Sequence, residues 1–272
     1  MPLRLFPETK VDLIIPDQVR NGLPAQGLVQ EIVYVPRVGS TNDIARDRAR
    51  AGAKEGLLVL TEEQLTGRGR HGRRWEAPFG SSLLVSLLLR PTFLPPERAF
   101  LLTVLACLAI DRAISRQTGL QLEIKWPNDL LLDGRKVCGI LVELEGKAGQ
   151  LDWAVLAWGL NVNVDVSPHE ELAETATSLA LKLGRPLARL PLLWACLEEV
   201  EILYEALKAG QGERLWSTWR SRLSTLGQTV QVATPEETFT GQALDVTPDG
   251  SLLVRRDDGT TVQVVAGDVS IR

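Results

Sequence analysis

A chain of 272 residues with 44% hydrophobic and 24% charged side chains is long enough for one large core and a small satellite domain. A net charge of -4 excludes a general polyanion coat. The three cysteines, Cys107, Cys138 and Cys196, are too widely spaced for a disulfide framework or a zinc motif.

Residues 1–28 read as a Pro- and Gly-rich lead-in with one short strand candidate at 11–15. The N-terminus, MPLRLFPETK, has no apolar core before its first acid, so no export signal is expected. A strand is predicted at 29–35. A helix follows from Ser40 or Thr41 to about Ala51, stopped by Gly52. The hydroxyls of Ser40 and Thr41 suit either an N-cap or a ligand contact, and both readings stand together. Further strands are predicted at 57–62 and at 82–89, the latter apolar and bounded by Gly80 and Pro91. A helix at 97–117 lies between Pro95-Pro96 and Gly119 and is apolar nearly all round, which predicts deep burial. Its apolar stretch, 99–110, is shorter than the ~20 residues that span a bilayer, so no membrane partner is expected. Strands at 122–126, 130–132, 136–145 and 151–160 follow, with Asp133-Gly134 as a hairpin turn. Helices are predicted at 177–183, 190–208 and 213–224. From 229 to 271 four short β-rich runs alternate with turns, the spacing of a small antiparallel barrel. Cys107 and Cys196 sit in apolar helices as inert thiols, and Cys138 has no histidine partner to make it a nucleophile.

Three segments carry chemistry. The first is Gly39-Ser40-Thr41-Asn42-Asp43. The second runs from Gln64 through Gly67-Arg68-Gly69-Arg70-His71-Gly72-Arg73-Arg74-Trp75, four arginines and three glycines uninterrupted by an acid. Such a loop wraps an anion: glycine lets the backbone approach, and guanidinium forks grip carboxylate or phosphate. The third is Lys125-Trp126-Pro127-Asn128-Asp129, followed by Gly134-Arg135-Lys136-Val137-Cys138-Gly139-Ile140-Leu141.

In this order and spacing the segments resemble the biotin protein ligases, over a stretch from about Val33 to the C-terminus. His71 stands where an arginine is common in that family, and Arg74 where lysine is also seen. The resemblance implies an α+β fold: a mixed sheet flanked by helices at 29–225, and an SH3-like C-terminal barrel at 226–272. It implies ATP-dependent activation of biotin to an acyl-adenylate, then transfer to a lysine of a biotin carboxyl carrier domain. ATP and biotin are the expected substrates, with Mg2+ as companion ion. No dedicated metal cluster and no nucleic-acid partner are expected. Residues 1–28 are too short for the helix-turn-helix domain of the family's repressor members, so a repressor role is not expected. The expected compartment is the cytoplasm, and a homodimer through the central sheets is compatible with the resemblance.

Ser40, Thr41, Asn42, Gln64, Gly67, Arg68, Gly69, Arg70, Lys136 and Gly139 are the implied contacts to biotin or its adenylate. Arg70, Trp75, Asn128, Lys136 and Asn161 are the implied nucleotide contacts. Lys136 and Arg68 would stabilise charge, as two anionic reactants require. Asp129 is expected either to help deprotonate the incoming amine or to serve as an Asn-Asp turn residue. Trp75 and Trp126 either shield the ligand or pack a wall. The loop at 66–79 is expected to order over the adenylate. Two rivals share parts of the pattern. Lipoate or octanoate ligases lack this pairing of motifs, and a nucleic-acid-binding loop would call for basic patches that are missing elsewhere.

Overall fold

The computed structural model describes residues 3–69, 74–147, 149–234, 237–265 and 268–271. A seven-stranded sheet organises it, in the order β2, β4, β6, β10, β9, β8, β7. The members are β2 (Glu31–Tyr34), β4 (Leu57–Thr61), β6 (Ser82–Leu89), β7 (Glu123–Lys125), β8 (Asp129–Leu132), β9 (Arg135–Lys147) and β10 (Gln150–Asn161). Only β2 and β4 pair in parallel; the other ladders are antiparallel.

Helices cover both faces. The strand period of two explains how β6 can be buried at every position. Leu83, Val85, Leu87 and Leu89 belong to the core shared with α3 (Leu101–Thr118) and α6 (Arg189–Lys208). Leu88 faces the other way, into a second cluster with Ala45 and Ala49 of α2 (Thr41–Arg50). α3 has 13 buried residues and ends at Gly119, whose left-handed φ of 75° closes the helix. Its expected first turn is a separate 3-10 turn, Pro96–Arg98. No described helix is long and apolar enough to cross a membrane.

The N-terminal segment departs from expectation. Residues 11–15 form no strand. Asp12 and Ile14 turn inward instead: Arg189 Nε lies 2.9 Å from Asp12 Oδ1, and the Ile14 N–H donates to Glu62 Oε1 at 2.8 Å. Arg189 also pairs with the buried Glu62 at 2.7 Å. Removing either partner would strand a charge in the core, at a cost of about 3–5 kcal/mol. Two short elements went unread in the lead-in. One is α1 (Pro16–Asn21), which opens on a proline with φ already suited to a helix. The other is β1 (Arg4–Leu5), paired with β11 (Val164–Asp165). Also unread were the parallel pair β3 (Arg37–Val38) and β5 (Glu63–Gln64) and the six-residue α4 (Glu170–Thr175). Beyond it, α5 (Leu179–Leu183) and α7 (Gly212–Ser221) match the expected helices within a few residues.

The C-terminal part is a five-stranded antiparallel sheet. It comprises β12 (Thr229–Ala233), β13 (Thr238–Val246), β14 (Leu252–Arg256), β15 (Thr261–Val264) and the unanticipated β16 (Asp268–Ile271). Its order, β15, β14, β13, β12, β16, leaves the outer strands unpaired with one another among the described residues, so the expected closed barrel is not seen. This sheet is clasped to the larger one. Trp126 Nε1 donates to the Gly250 carbonyl at 2.8 Å, and Arg220 Nε pairs with Asp245 at 2.6 Å. A Cβ at Gly250 would fall 2.4 Å from the Phe100 ring, so this turn must be glycine.

Candidate functional site

On the α2 face of the large sheet, beyond the start of that helix, lies a cleft of about 1200 Å³. Its floor is bare backbone. Gly139 of β9 and Gly159 of β10 are register partners across the ladder. A Cβ on Gly159 would come within 2.6 Å of Trp75, and one on Gly139 within 3.0 Å of the Lys136 amine and 3.1 Å of Trp75. Two glycines side by side thus let an indole and an ammonium lie against the strands. Gly159 escaped the sequence reading. Its one signal was a glycine inside an otherwise apolar strand, which marks a close approach.

One end of the cleft is neutral and closed. Ser40, Thr41 and Asn42 are all buried. Ser40 occupies the cap position of α2, yet its side chain makes no cap bond. Gln64, at the end of β5, satisfies a different amide of the first turn from outside: its Oε1 accepts the Thr41 N–H at 2.9 Å and lies 3.2 Å from Thr41 Oγ1. The expectation of a serine or threonine cap is corrected accordingly. Thr41 and Asn42 are held from below by Ser86 of β6, whose hydroxyl lies 2.8 Å from Thr41 Oγ1 and 2.7 Å from Asn42 Oδ1. Asn42 Nδ2 donates to Glu143 of β9 at 2.7 Å.

The other end is charged. Lys136 Nζ lies 2.6 Å from Asp129 Oδ1 and 5.6 Å from the centre of the Trp75 ring, a cation–π arrangement. Asp129 is the first residue of β8 and not a turn residue; an irregularity between Leu130 and Leu131 brings it alongside Lys136. Arg68 pairs with Asp43 in the first turn of α2, and Asp43 also holds Arg46 at 2.6 Å. Trp75 N–H donates to the Gly67 carbonyl at 2.9 Å, closing the base of the arginine loop. Gly67 cannot carry a side chain there, since its Cβ would lie 2.4 Å from the Trp75 carbonyl oxygen. Gly69 lines the cleft as well. Arg70, with His71, Gly72 and Arg73, lies outside the described residues.

Asn128 and Asn161 also line the cleft. Asn128 is engaged in a backbone staple, its Nδ2 donating to the Ile140 carbonyl and its carbonyl accepting the Ile140 N–H at 3.0 Å. Asn161 Nδ2 donates to the Thr177 carbonyl at 3.1 Å, while its Oδ1 is buried without a partner. Trp126 is a wall: it is buried against the C-terminal sheet and packs between the two parts. Ser224, Gln228 and Ser270 border the cleft from that side. Cys138 is buried, and desolvation pushes its thiol well above the ordinary value, which leaves no thiolate for attack. The described residues hold no group of three or more His, Cys, Asp or Glu side chains fit to bind a metal.

Residues 34–161 match the biotin/lipoate A/B protein ligase family, and residues 225–272 match the biotin protein ligase C terminal domain. The chain is 33% identical to the biotin--[acetyl-CoA-carboxylase] ligase of Mycobacterium tuberculosis, over 88% of each protein. It is 31% identical to the bifunctional ligase/repressor BirA of Bacillus subtilis, over 93% of this chain and 78% of that one. Among solved structures it is similar to a biotin protein ligase from Aquifex aeolicus in complex with biotin and ATP. That match has a TM-score of 0.73 and 25% identity, covering 89% of this chain and 99% of the other.

Proposed function

The chain belongs to the biotin protein ligase family, and from that premise we propose that both half-reactions run in the cleft around Lys136. It is an ATP-dependent ligase of biotin. In the first step a biotin carboxylate oxygen attacks the α-phosphorus of ATP and pyrophosphate leaves. In the second, the lysine amine of a carrier domain of a biotin-dependent carboxylase attacks the acyl carbon and AMP leaves. The observation that supports siting both steps here is that segments some 100 residues apart in the chain, from Ser40 to Gly139, line one cleft.

The roles follow from chemistry. The neutral end, with Ser40, Thr41, Asn42 and Gln64, suits the uncharged ureido head of biotin, because a cyclic urea needs both acceptors and donors. The glycine floor under Trp75 takes the bicyclic body. Lys136 is a compact charge fit to sit between carboxylate and α-phosphate, and Arg68 and Arg70 are fit to take phosphate oxygens. All three act by offsetting negative charge as it builds at phosphorus. Asp129, released from Lys136 as the phosphates arrive, is in place to accept a proton from the incoming amine. Asn128, Trp75 and Asn161 complete the nucleotide side.

Magnesium, when bound, supplies positive charge to the phosphate oxygens. The unpartnered Asn161 Oδ1 fits as a neutral oxygen toward such an ion, which keeps most of its shell from phosphate and water. The unit boundaries proposed are 1–28, 29–225 and 226–272, the last completing an SH3-like barrel. A homodimer through the central sheets is supported by β9, which among the described residues has no strand partner beyond Gly139 on its side away from β10. Three unpaired cysteines support a cytoplasmic location.

Titration calorimetry of biotin, with and without a non-hydrolysable ATP analogue, tests this reading. Biotin should bind, and Lys136→Ala should weaken binding most when the analogue is present. No heat from biotin in either condition would overturn it.

A further inference from the structure

We propose that Glu143 is a positioning residue that sets the direction of the hydrogen-bond relay from Asn42 through Ser86 to Thr41 at the neutral end of the cleft. The proposal rests on the reading of that end as the seat of the ureido head.

A carboxylate only accepts hydrogen bonds. Glu143 therefore obliges Asn42 to turn its Nδ2 toward β9, at 2.7 Å, and its Oδ1 toward Ser86. An amide oxygen also only accepts, so the single Ser86 hydrogen goes to Asn42 Oδ1 at 2.7 Å. Ser86 Oγ must then accept from Thr41 Oγ1, 2.8 Å away. The Thr41 hydrogen is thereby spent on Ser86 in preference to Gln64 Oε1, which is farther at 3.2 Å and already holds the Thr41 backbone N–H at 2.9 Å. Two groups are left with a fixed sense toward the cleft. Thr41 Oγ1 offers lone pairs, and Gln64, its oxygen committed, offers Nε2 as a donor. A cyclic urea is the complement, since its ring N–H groups donate and its carbonyl accepts.

Without the carboxylate, the Asn42 amide can take either orientation, and the relay can run in either sense. Asn42 and Ser86 are buried, so no solvent enters to reset the order. Arg46, whose Nη1 lies 3.4 Å from Glu143 Oε1, helps to hold the carboxylate in place.

The test is a double-mutant cycle on Glu143→Gln and Ser86→Ala, read as KM for biotin and KM for ATP in ATP–pyrophosphate exchange. Each single variant should raise the biotin KM roughly tenfold, the worth of a hydrogen bond held by a charged group, while leaving the ATP KM within about twofold. Because the two residues act in series through Asn42, the double variant should be no worse than the poorer single one. Effects that multiply in the double variant, or a KM for ATP that rises in step with that for biotin, would overturn the relay. Wild-type protein that binds biotin while both variants behave like it would also overturn the relay and leave the ligase reading intact. Wild-type protein that does not turn over biotin would sink the ligase reading itself.

Discussion

The two ends of the cleft are built on opposite plans. At the α2 end the groups that face the cleft are neutral and already bonded, Gln64 to Thr41, Thr41 to Ser86 and Asn42 to Glu143, with the one carboxylate, Glu143, set behind Asn42. At the other end the groups are charged, partly exposed and paired with resident carboxylates: Lys136 with Asp129, Arg68 with Asp43. The first end is preorganised, and a ligand meets a fixed pattern at little reorganisation cost. The second is held in reserve, because an arriving carboxylate or phosphate exchanges with an acid already present. Recognition is rigid where charge never changes, and exchangeable where charge is created and moved.

Four substitutions break or sharpen this contrast. Lys136→Ala removes the cation at the reacting end and should slow adenylate formation by about 10²–10³-fold, measured as pyrophosphate release. A loss smaller than tenfold would mean that the arginines carry the charge alone. Gly159→Val attacks the floor common to both ends. The added atoms meet Trp75 at 2.6 Å, and displacing the indole at a cost of about 1–3 kcal/mol should cut kcat/KM by tenfold or more, with a change in tryptophan fluorescence. Unchanged fluorescence and activity would show that the ring moves freely. Asp129→Asn should slow transfer to the carrier by about tenfold, and more than it slows adenylate formation, seen in single-turnover assays of each step. Equal slowing of both would reduce Asp129 to a holder of Lys136.

The smallest effect lies outside both ends and serves as a reference. The Arg220 guanidinium beside Asp245 lowers its carboxyl below the ordinary 3.8. A depressed folded value contributes stability above the unfolded value, and that contribution is lost as pH falls through the folded one. Asp245→Asn should thus lower the melting temperature slightly at pH 7, with the difference shrinking below about pH 4. Both residues are over one-third exposed, so the effect is screened by salt. A difference that grows on acidification would contradict this account.

The sequence was legible where local pattern and tertiary need agree. β6 falls at 82–89 as expected, because an apolar run between Gly80 and Pro91 has one good solution. The motif residues Thr41, Gln64, Lys136 and Gly139, read from three separate segments, line one cleft. The elements that escaped are held by partners far away in the chain. Residues 11–15 read as a strand by composition, yet their inward groups answer to Glu62 and Arg189. Ser86 sits in a strand with no motif around it, and Glu143 lies two residues past the end of one. Their importance arises only once Asn42, about 44 and 101 residues away, lies between them. Ser40 has the side chain of a cap yet makes no cap bond, and Gln64 reaches in from β5 to take another first-turn amide, that of Thr41. Such substitutions of one hydrogen-bond partner for another leave no trace in local pattern.

The paired glycines Gly139 and Gly159 also limit how the site can change over time. A pocket floored by side chains can be deepened or filled one substitution at a time. A floor of main chain has no such adjustable part: a side chain at either glycine displaces Trp75, and one at Gly139 displaces Lys136 as well. Variants that accept a different acid must therefore arise from the walls, by altering Thr41, Gln64 or the relay beneath them, while the depth of the cleft stays where the backbone put it.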